Sequence, residues 1–176
     1  MGSEGPAPGC VIHVTGFKKF HGVDENPTEV LALSLETYIE KRGLPQGTKL
    51  GSVNVLETAG DGALATLRNL LDSSISFKHK ESLNADPCDQ VIWVHMGVNS
   101  GANKFAIERK AVNEATFRCP DEMGWQPQRL PIVSEDGGIS FVREMMPGVL
   151  SAIIKIDTEK QIEFMASLFD MLSSVC

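Results

Sequence analysis

No stretch of this 176-residue chain stays apolar for more than a handful of residues, far short of the roughly 20 that a membrane-spanning helix needs. No membrane association is expected. Positive charge is also scarce: 16 Lys and Arg stand against 23 Asp and Glu, a formal net charge of -7. That balance excludes a broad electrostatic grip on phosphate backbones, so nucleic acid is not an expected partner. Cysteine is sparse and scattered. Cys10, Cys88, Cys119 and Cys176 form no C-x-x-C pair and no cluster with histidine, so neither a zinc site nor a redox dithiol is indicated, and no metal or cofactor is expected. Free thiols in the cytosol are the default reading. The glycosylation pattern N-x-S/T is missing as well, because Asn26 is followed by Pro27. Residues 1–9, MGSEGPAPG, have a carboxylate, two prolines and no apolar run. They read as a flexible lead-in rather than a secretory signal, and Pro6 stands where a myristoylation signal wants Ser or Thr.

What is present suits one domain with a real core, over residues 10–176. The hydrophobic content is 42%, and the mean hydropathy is -0.05. The chain is organised around residues 90–122, QVIWVHMGVNSGANKFAIERKAVNEATFRCPDE. The run Val91 to Met96 is too short for a helix and rich in residues that fit a pleated surface, so it reads as a buried strand. Gly97 and the turn-rich Val98-Asn99-Ser100-Gly101 then open a loop at the sheet end, where ligands bind in α/β folds. Glu108 and Arg118 follow, two opposite charges ten residues apart.

Upstream, CVIHVT (Cys10 to Thr15) reads as a first strand, ended by Gly16 and a loop. Asn26-Pro27-Thr28-Glu29 is a helix start, with a capping side chain, proline at the first helical position and a glutamate able to reach back to the cap. Leu31, Leu35, Tyr38 and Ile39 carry that helix, and Gly43 and Pro45 close it. Lys49 to Leu56, with Val53 and Val55 on one face, suggests a second strand, and Leu64, Leu67 and Leu71 mark a second helix. The order βαβα favours an α/β sheet. Ser73 to Asp89 is polar and reads as a long surface loop. In Lys104 to Asn113 the alternation favours a strand with Glu108 opposite Phe105 and Ile107. Three prolines and Gly124 forbid long regular structure from Cys119 to Pro131. Phe141 to Ile156 follows no clean period, and residues 139–156 read as an irregular junction. Asp157 reads as the cap of a last helix whose apolar stripe is Ile162, Met165, Leu168, Phe169 and Leu172.

Three pieces line up: Val14-Thr15-Gly16-Phe17-Lys18-Lys19-Phe20, the Asn26-Pro27-Thr28 cap, and His95-Met96-Gly97-Val98-Asn99-Ser100-Gly101 leading to Glu108, Asn113 and Arg118. Together they resemble the pyroglutamyl-peptidase I (pyrrolidone-carboxylate peptidase) family, and residues 105–128 look like its plant-type members. The resemblance covers about Val11 to Gly138 and returns at Lys155 to Cys176, and a multi-part pattern is more specific than any single motif. It implies a three-layer α/β/α sandwich with a mixed central sheet, truncated relative to the family. The implied protein is a cytosolic cysteine exopeptidase that removes N-terminal pyroglutamate from peptides and needs no cofactor. Homo-oligomer formation stays open. The implied machinery is a Cys nucleophile, a His base and a Glu that orients the His. Glu108 matches that glutamate. Phe17 and Phe20 match the aromatic pair lining the pyrrolidone pocket, the Val98 backbone and the Asn26 side chain match positions near it, and Arg118 matches the arginine beside the reaction centre.

The sequence departs from that pattern in one place. The family's nucleophile lies in a motif like D-A-G-R-Y-x-C and its histidine in one like H-V-P, and neither occurs after Glu135-Asp136-Gly137-Gly138. No histidine follows His95, and Cys176 is the only cysteine after Cys119. The resemblance therefore implies a chain that keeps the pocket residues and is catalytically impaired. The alternatives are a non-catalytic protein that binds pyroglutamyl peptides or pairs with full-length relatives, an enzyme in which Cys119 or another thiol substitutes, and a poorly folded fragment with no function. Arg118 beside Cys119 would favour a thiolate, although a lone cysteine is more often an inert packed residue. His13 and His95 read as hydrogen-bonded residues in or near the core, and His21 and His79 as solvated loop residues.

Overall fold

Val and Ile alternate with polar residues in the first strand, which sets one face of the sheet apolar. β1 (Cys10–Phe17) buries Cys10, Ile12 and Val14 on that face. The computed structural model describes residues 9–81, 90–99, 105–108, 110–132, 134, 142–144 and 149–154. Within them, β1 leads to α1 (Pro27–Arg42), β2 (Thr48–Leu56), α2 (Gly60–Glu81) and β3 (Gln90–Val98). Short strands β4 (Ala106–Glu108), β5 (Lys110–Val112) and β6 (Val142–Glu144) follow, then β7 (Val149–Ile154).

The main sheet has the order β2-β1-β3-β7-β4. β1 is parallel to both β2 and β3, β3 is parallel to β7, and only β4 is antiparallel, so the sheet is mixed. The connection from β1 out to β2 runs through α1 and the one back past β1 to β3 through α2, an order for which the right-handed rule of parallel crossovers calls for helices on opposite faces. The α/β expectation holds. Leu31, Ala32 and Leu35 of α1 pack on Ile12, Val14, Ile92, Val94 and Met96, and this cluster is the core. Val53 and Val55 pack against the same cluster, on the face expected for them.

The α1 start is as the sequence indicates: Asn26 caps the helix, with its side chain accepting from Thr28 N, and Pro27 opens the first turn. The glutamate does something else. Glu29 Oε2 accepts a bond from Lys19 N at 3.2 Å, so the carboxylate fastens the preceding loop. Gly43 closes the helix with φ of 78°, donating its N–H to Ile39 O at 2.7 Å.

Three expectations are corrected. The tract from residue 73 onward is not loop at its start, because α2 continues to Glu81 and takes in His79. No Gly or Pro occurs between Ala63 and Asp86, and polar composition alone marks a wet helix face rather than a break. The apolar residues of α2 are less covered than a core stripe, with Leu64 37% and Leu71 39% exposed. Residues 139–156 are not simply irregular either, since they contain β6 and β7. A parallel strand inside a sheet reads as a continuous apolar run rather than an alternating one, which is why β7 has no legible period. Lys104 to Asn113 forms two short strands in different sheets, β4 beside β7 and β5 beside β6. The lead-in to residue 8, residues 82–89 and the last helix capped by Asp157 lie outside the described residues. Among the described residues no helix is long and apolar enough to cross a membrane.

Candidate functional site

Chain connections diverge between β1 and β3, since β1 leads outward to β2 while β3 has β7 as its other neighbour. Loops at the carboxyl ends of such strands part and leave a crevice. A crevice of about 740 Å³ lies there, lined by Phe17 at the end of β1 and Phe20 after it, Thr58 to Gly60 after β2, Val98 and Asn99 at the end of β3, and the segment 116–122.

The loop after β1 is fixed from behind. Asn26 is 2% exposed; its Oδ1 accepts from both the amide and the hydroxyl of Thr28, and its Nδ2 donates to Lys18 O at 2.9 Å. Thr28 Oγ1 accepts from Phe17 N at 2.9 Å. One capping residue thus both starts α1 and sets the exit of the loop that presents Phe17 and Phe20. Phe20 and Val23 bridge across a tight turn, in which Gly22 has φ of 80°.

The opposite wall comes from residues 115–130, an irregular hairpin closed by the bridge between Ala115 and Leu130. It is held by Asp121. Its Oδ1 accepts from Met123 N and Trp125 N, each at 2.9 Å, and its Oδ2 accepts from Gly60 N, also at 2.9 Å. Asp121 is therefore a cap supplied from elsewhere in the chain to the first residue of α2, where a negative charge also meets the positive end of the helix dipole. The bond from Gly60 N, with those from Trp125, Met123 and Gly124, holds the Asp121 carboxyl below its ordinary value of 3.8. Trp125 lies over Gly60, where an added Cβ would come within 2.4 Å of its ring, and Phe117 meets Trp125 edge-on at 5.4 Å.

A pH dependence follows. A depressed carboxyl contributes stability that is fully present above its unfolded value and is lost as pH falls through the folded one. Asp121→Asn is expected to lower stability at pH 7, and the gap between variant and unaltered chain is expected to close below the ordinary carboxyl value of 3.8. Urea denaturation of both chains across that range checks it, and a gap of constant size at all pH values would assign the loop's attachment to other contacts.

Of the residues singled out from the sequence, Phe17, Phe20, Val98 and Arg118 line this one crevice. Asn26 sits behind the wall, as the loop's anchor. Glu108 is on β4, paired with Ser151 in register and exposed, and is not among the lining residues. Cys119 is exposed in the wall beside Arg118, and His21, expected as a plain loop residue, lines the same crevice from the loop after β1. His13 Nδ1 bonds Ser52 Oγ and His95 Nδ1 bonds Thr15 Oγ1, each at 2.8 Å, and burial lowers the pKa of both imidazoles. Both are hydrogen-bonded residues near the core, as expected. The sequence reading missed Thr58, Gly60, Asp121 and Glu122. The D-x-x-G spacing of Asp121 and Gly124 signals a turn, but nothing local signals its partner Gly60. Among the described residues no group of three or more His, Cys, Asp and Glu side chains is placed to hold a metal ion.

A mainly parallel sheet with helices and a crevice at the carboxyl ends of its strands makes this an α/β protein whose candidate ligand site lies at the switch point. A curated pyrrolidone-carboxylate peptidase from Pyrococcus furiosus is 30% identical over 122 residues, which are 69% of this chain and 49% of that protein. A solved structure of a mutant pyrrolidone carboxyl peptidase from the same hyperthermophile superposes with a TM-score of 0.56 at 27% identity, covering 76% of this chain and 53% of the other. The Thermus thermophilus pyrrolidone carboxyl peptidase, at 20% identity and a TM-score of 0.58, shares the fold over 86% of this chain and 88% of its own. The chain belongs to the pyrrolidone-carboxylate peptidase family. It spans about half the length of the curated relative it matches. No protein-family model matches the sequence.

Proposed function

We propose that this chain carries the recognition half of a pyroglutamyl-peptide site and hydrolyses its occupant poorly or not at all. The observation that carries the reading is the convergence of Phe17, Phe20, Val98 and Arg118 on one crevice. A pyroglutamyl group is a small flat lactam with apolar ring faces and a polar edge. Two phenylalanines suit the faces, backbone groups at Val98 suit the lactam edge, and Arg118 suits the carbonyl that follows. Asn26 acts by holding the loop, and Glu108 is the remaining carboxylate of a triad whose thiol and imidazole the sequence does not supply at their motifs. A cytosolic location accords with the free thiols of Cys10 and Cys119.

Calorimetry tests this. The purified chain is expected to bind a short peptide with N-terminal pyroglutamate and to ignore its N-terminal glutamine counterpart, and Phe17→Ala is expected to weaken binding by about tenfold, the loss of one well-covered aromatic contact. Absence of any heat with the pyroglutamyl peptide would remove the assignment. If binding occurs without turnover, the chain works as a capture protein for such peptides, alone or with full-length relatives. A second reading has Cys119 as a replacement nucleophile, and it draws support from the presence of Cys119 and His21 in the lining of the same crevice. Turnover of a pyroglutamyl amide that disappears in Cys119→Ser would establish that reading in place of the first.

A further inference from the structure

Three loops wall the crevice, and a closed circuit of hydrogen bonds joins them. Thr58 Oγ1 donates to Lys18 O at 2.7 Å, tying the loop after β2 to the loop after β1. Glu122 N donates to Thr58 O at 3.2 Å, tying the 115–130 hairpin to the loop after β2. Glu122 Oε1 accepts from His21 N at 2.7 Å and brings the circuit back to the loop after β1. Phe20 lies between Lys18 and His21, so the short segment bearing it is held at both ends from outside. Its own turn is closed by Val23 N donating to Phe20 O at 2.8 Å, while the reverse bond, Phe20 N to Val23 O, is longer at 3.4 Å. The Glu122 contact spans 101 residues of sequence, and Glu122 itself is exposed. An exposed carboxylate contributes little to a core. As a charged acceptor on a backbone N–H it makes one of the stronger kinds of hydrogen bond, well suited to holding a loop.

We propose that Glu122 is a positioning residue whose carboxylate clasps the His21 amide and so keeps Phe20 in the crevice wall, ready for a flat five-membered lactam. The proposal rests on the pyroglutamyl reading above for its ligand. Without the clasp the segment 18–21 must be ordered each time a ligand binds, and that ordering subtracts from affinity. Glu122→Ala is therefore expected to weaken binding of a pyroglutamyl peptide by about tenfold, with little change in the urea midpoint. Glu122→Gln keeps the Oε1 acceptor and is expected to return affinity to within about threefold of the unaltered chain, since the bond survives and only its charge assistance is lost. The His21 amide, followed by hydrogen exchange, should exchange faster in Glu122→Ala and not in Glu122→Gln. Unchanged affinity and exchange in Glu122→Ala, or a glutamine variant as weak as the alanine one, would overturn the proposal. Should the unaltered chain bind no pyroglutamyl peptide, the ligand assignment fails separately. Exchange at His21 then decides the clasp by itself, faster exchange in Glu122→Ala supporting it and unchanged exchange overturning it.

Discussion

Purified alone, the chain is expected to release a fluorophore from a pyroglutamyl amide roughly four to six orders of magnitude more slowly than a relative with a complete Cys, His and Glu set, the range seen when nucleophile or base is removed from a triad. The cause is chemical. Cleavage by this route needs a thiolate to attack the acyl carbon and an imidazole to take the thiol proton and pass it to the leaving amine. After Gly138 the sequence contains no histidine, and its one cysteine is Cys176. Glu108, the carboxylate proposed for that set, is exposed on β4 and outside the crevice wall, and a carboxylate without an imidazole has nothing to orient. Binding should survive, since the phenylalanine loop is anchored by Asn26 and Thr28 and the arginine hairpin by Asp121. The measurement is a progress curve at saturating substrate, with iodoacetamide treatment and Cys119→Ser in parallel. Slow release unchanged by both treatments is the expected result. Rapid release that iodoacetamide abolishes would mean that a thiol of this chain does the work.

How much of this was legible in the sequence depends on the range of the interactions involved. Asn26-Pro27-Thr28 declares a helix start because capping is settled within a few residues, and α1 begins there. The alternation of β1 is equally local, whereas the break read at Gly97 is not one, since β3 runs on to Val98. The role of Glu29 was not legible, because its partner is Lys19 N, in a loop whose path follows from tertiary packing. Asp121 is a stronger case. Its segment reads as proline-punctuated coil, yet its carboxylate caps a helix that begins 61 residues earlier. No pattern within a window reports such a bond. β7 was missed for a different reason: a parallel strand inside a sheet loses the two-residue period that identifies an edge or half-exposed strand. The crevice stands between these cases, since motif resemblance marked Phe17, Phe20, Val98 and Arg118 while its outer ring of Thr58, Asp121 and Glu122 emerged only from the assembled fold.

Gly16→Ala is expected to destabilise the chain by about 3 kcal/mol, at the upper end of what overpacking a well-fitted site costs, and to weaken ligand binding with it. A Cβ at Gly16 would lie 2.2 Å from Thr28 O and 2.8 Å from Thr28 C, both backbone atoms, and 3.3 Å from Ala32 Cβ. Neither side can yield cheaply. Gly16 is in register with Val55 in β2, so the strand is held by the sheet. Thr28 is in the first turn of α1, bonded through its amide and hydroxyl to Asn26, while Ala32 belongs to the core cluster. Relief requires α1 to lift from β1, which opens the contact of Leu31 and Leu35 with the sheet and displaces Phe17, whose amide bonds Thr28 Oγ1. Against a typical total stability of about 5–15 kcal/mol, such a loss is large. Gly62→Ala is the matched control: the added Cβ meets only the Glu57 side chain, at 3.2 Å, and alanine is the better helix former, so a change below about 1 kcal/mol in either direction is expected. Urea midpoints of the two variants separate the cases, and a Gly16→Ala protein as stable as the Gly62→Ala one would mean that the strand and the helix do not meet as closely as described.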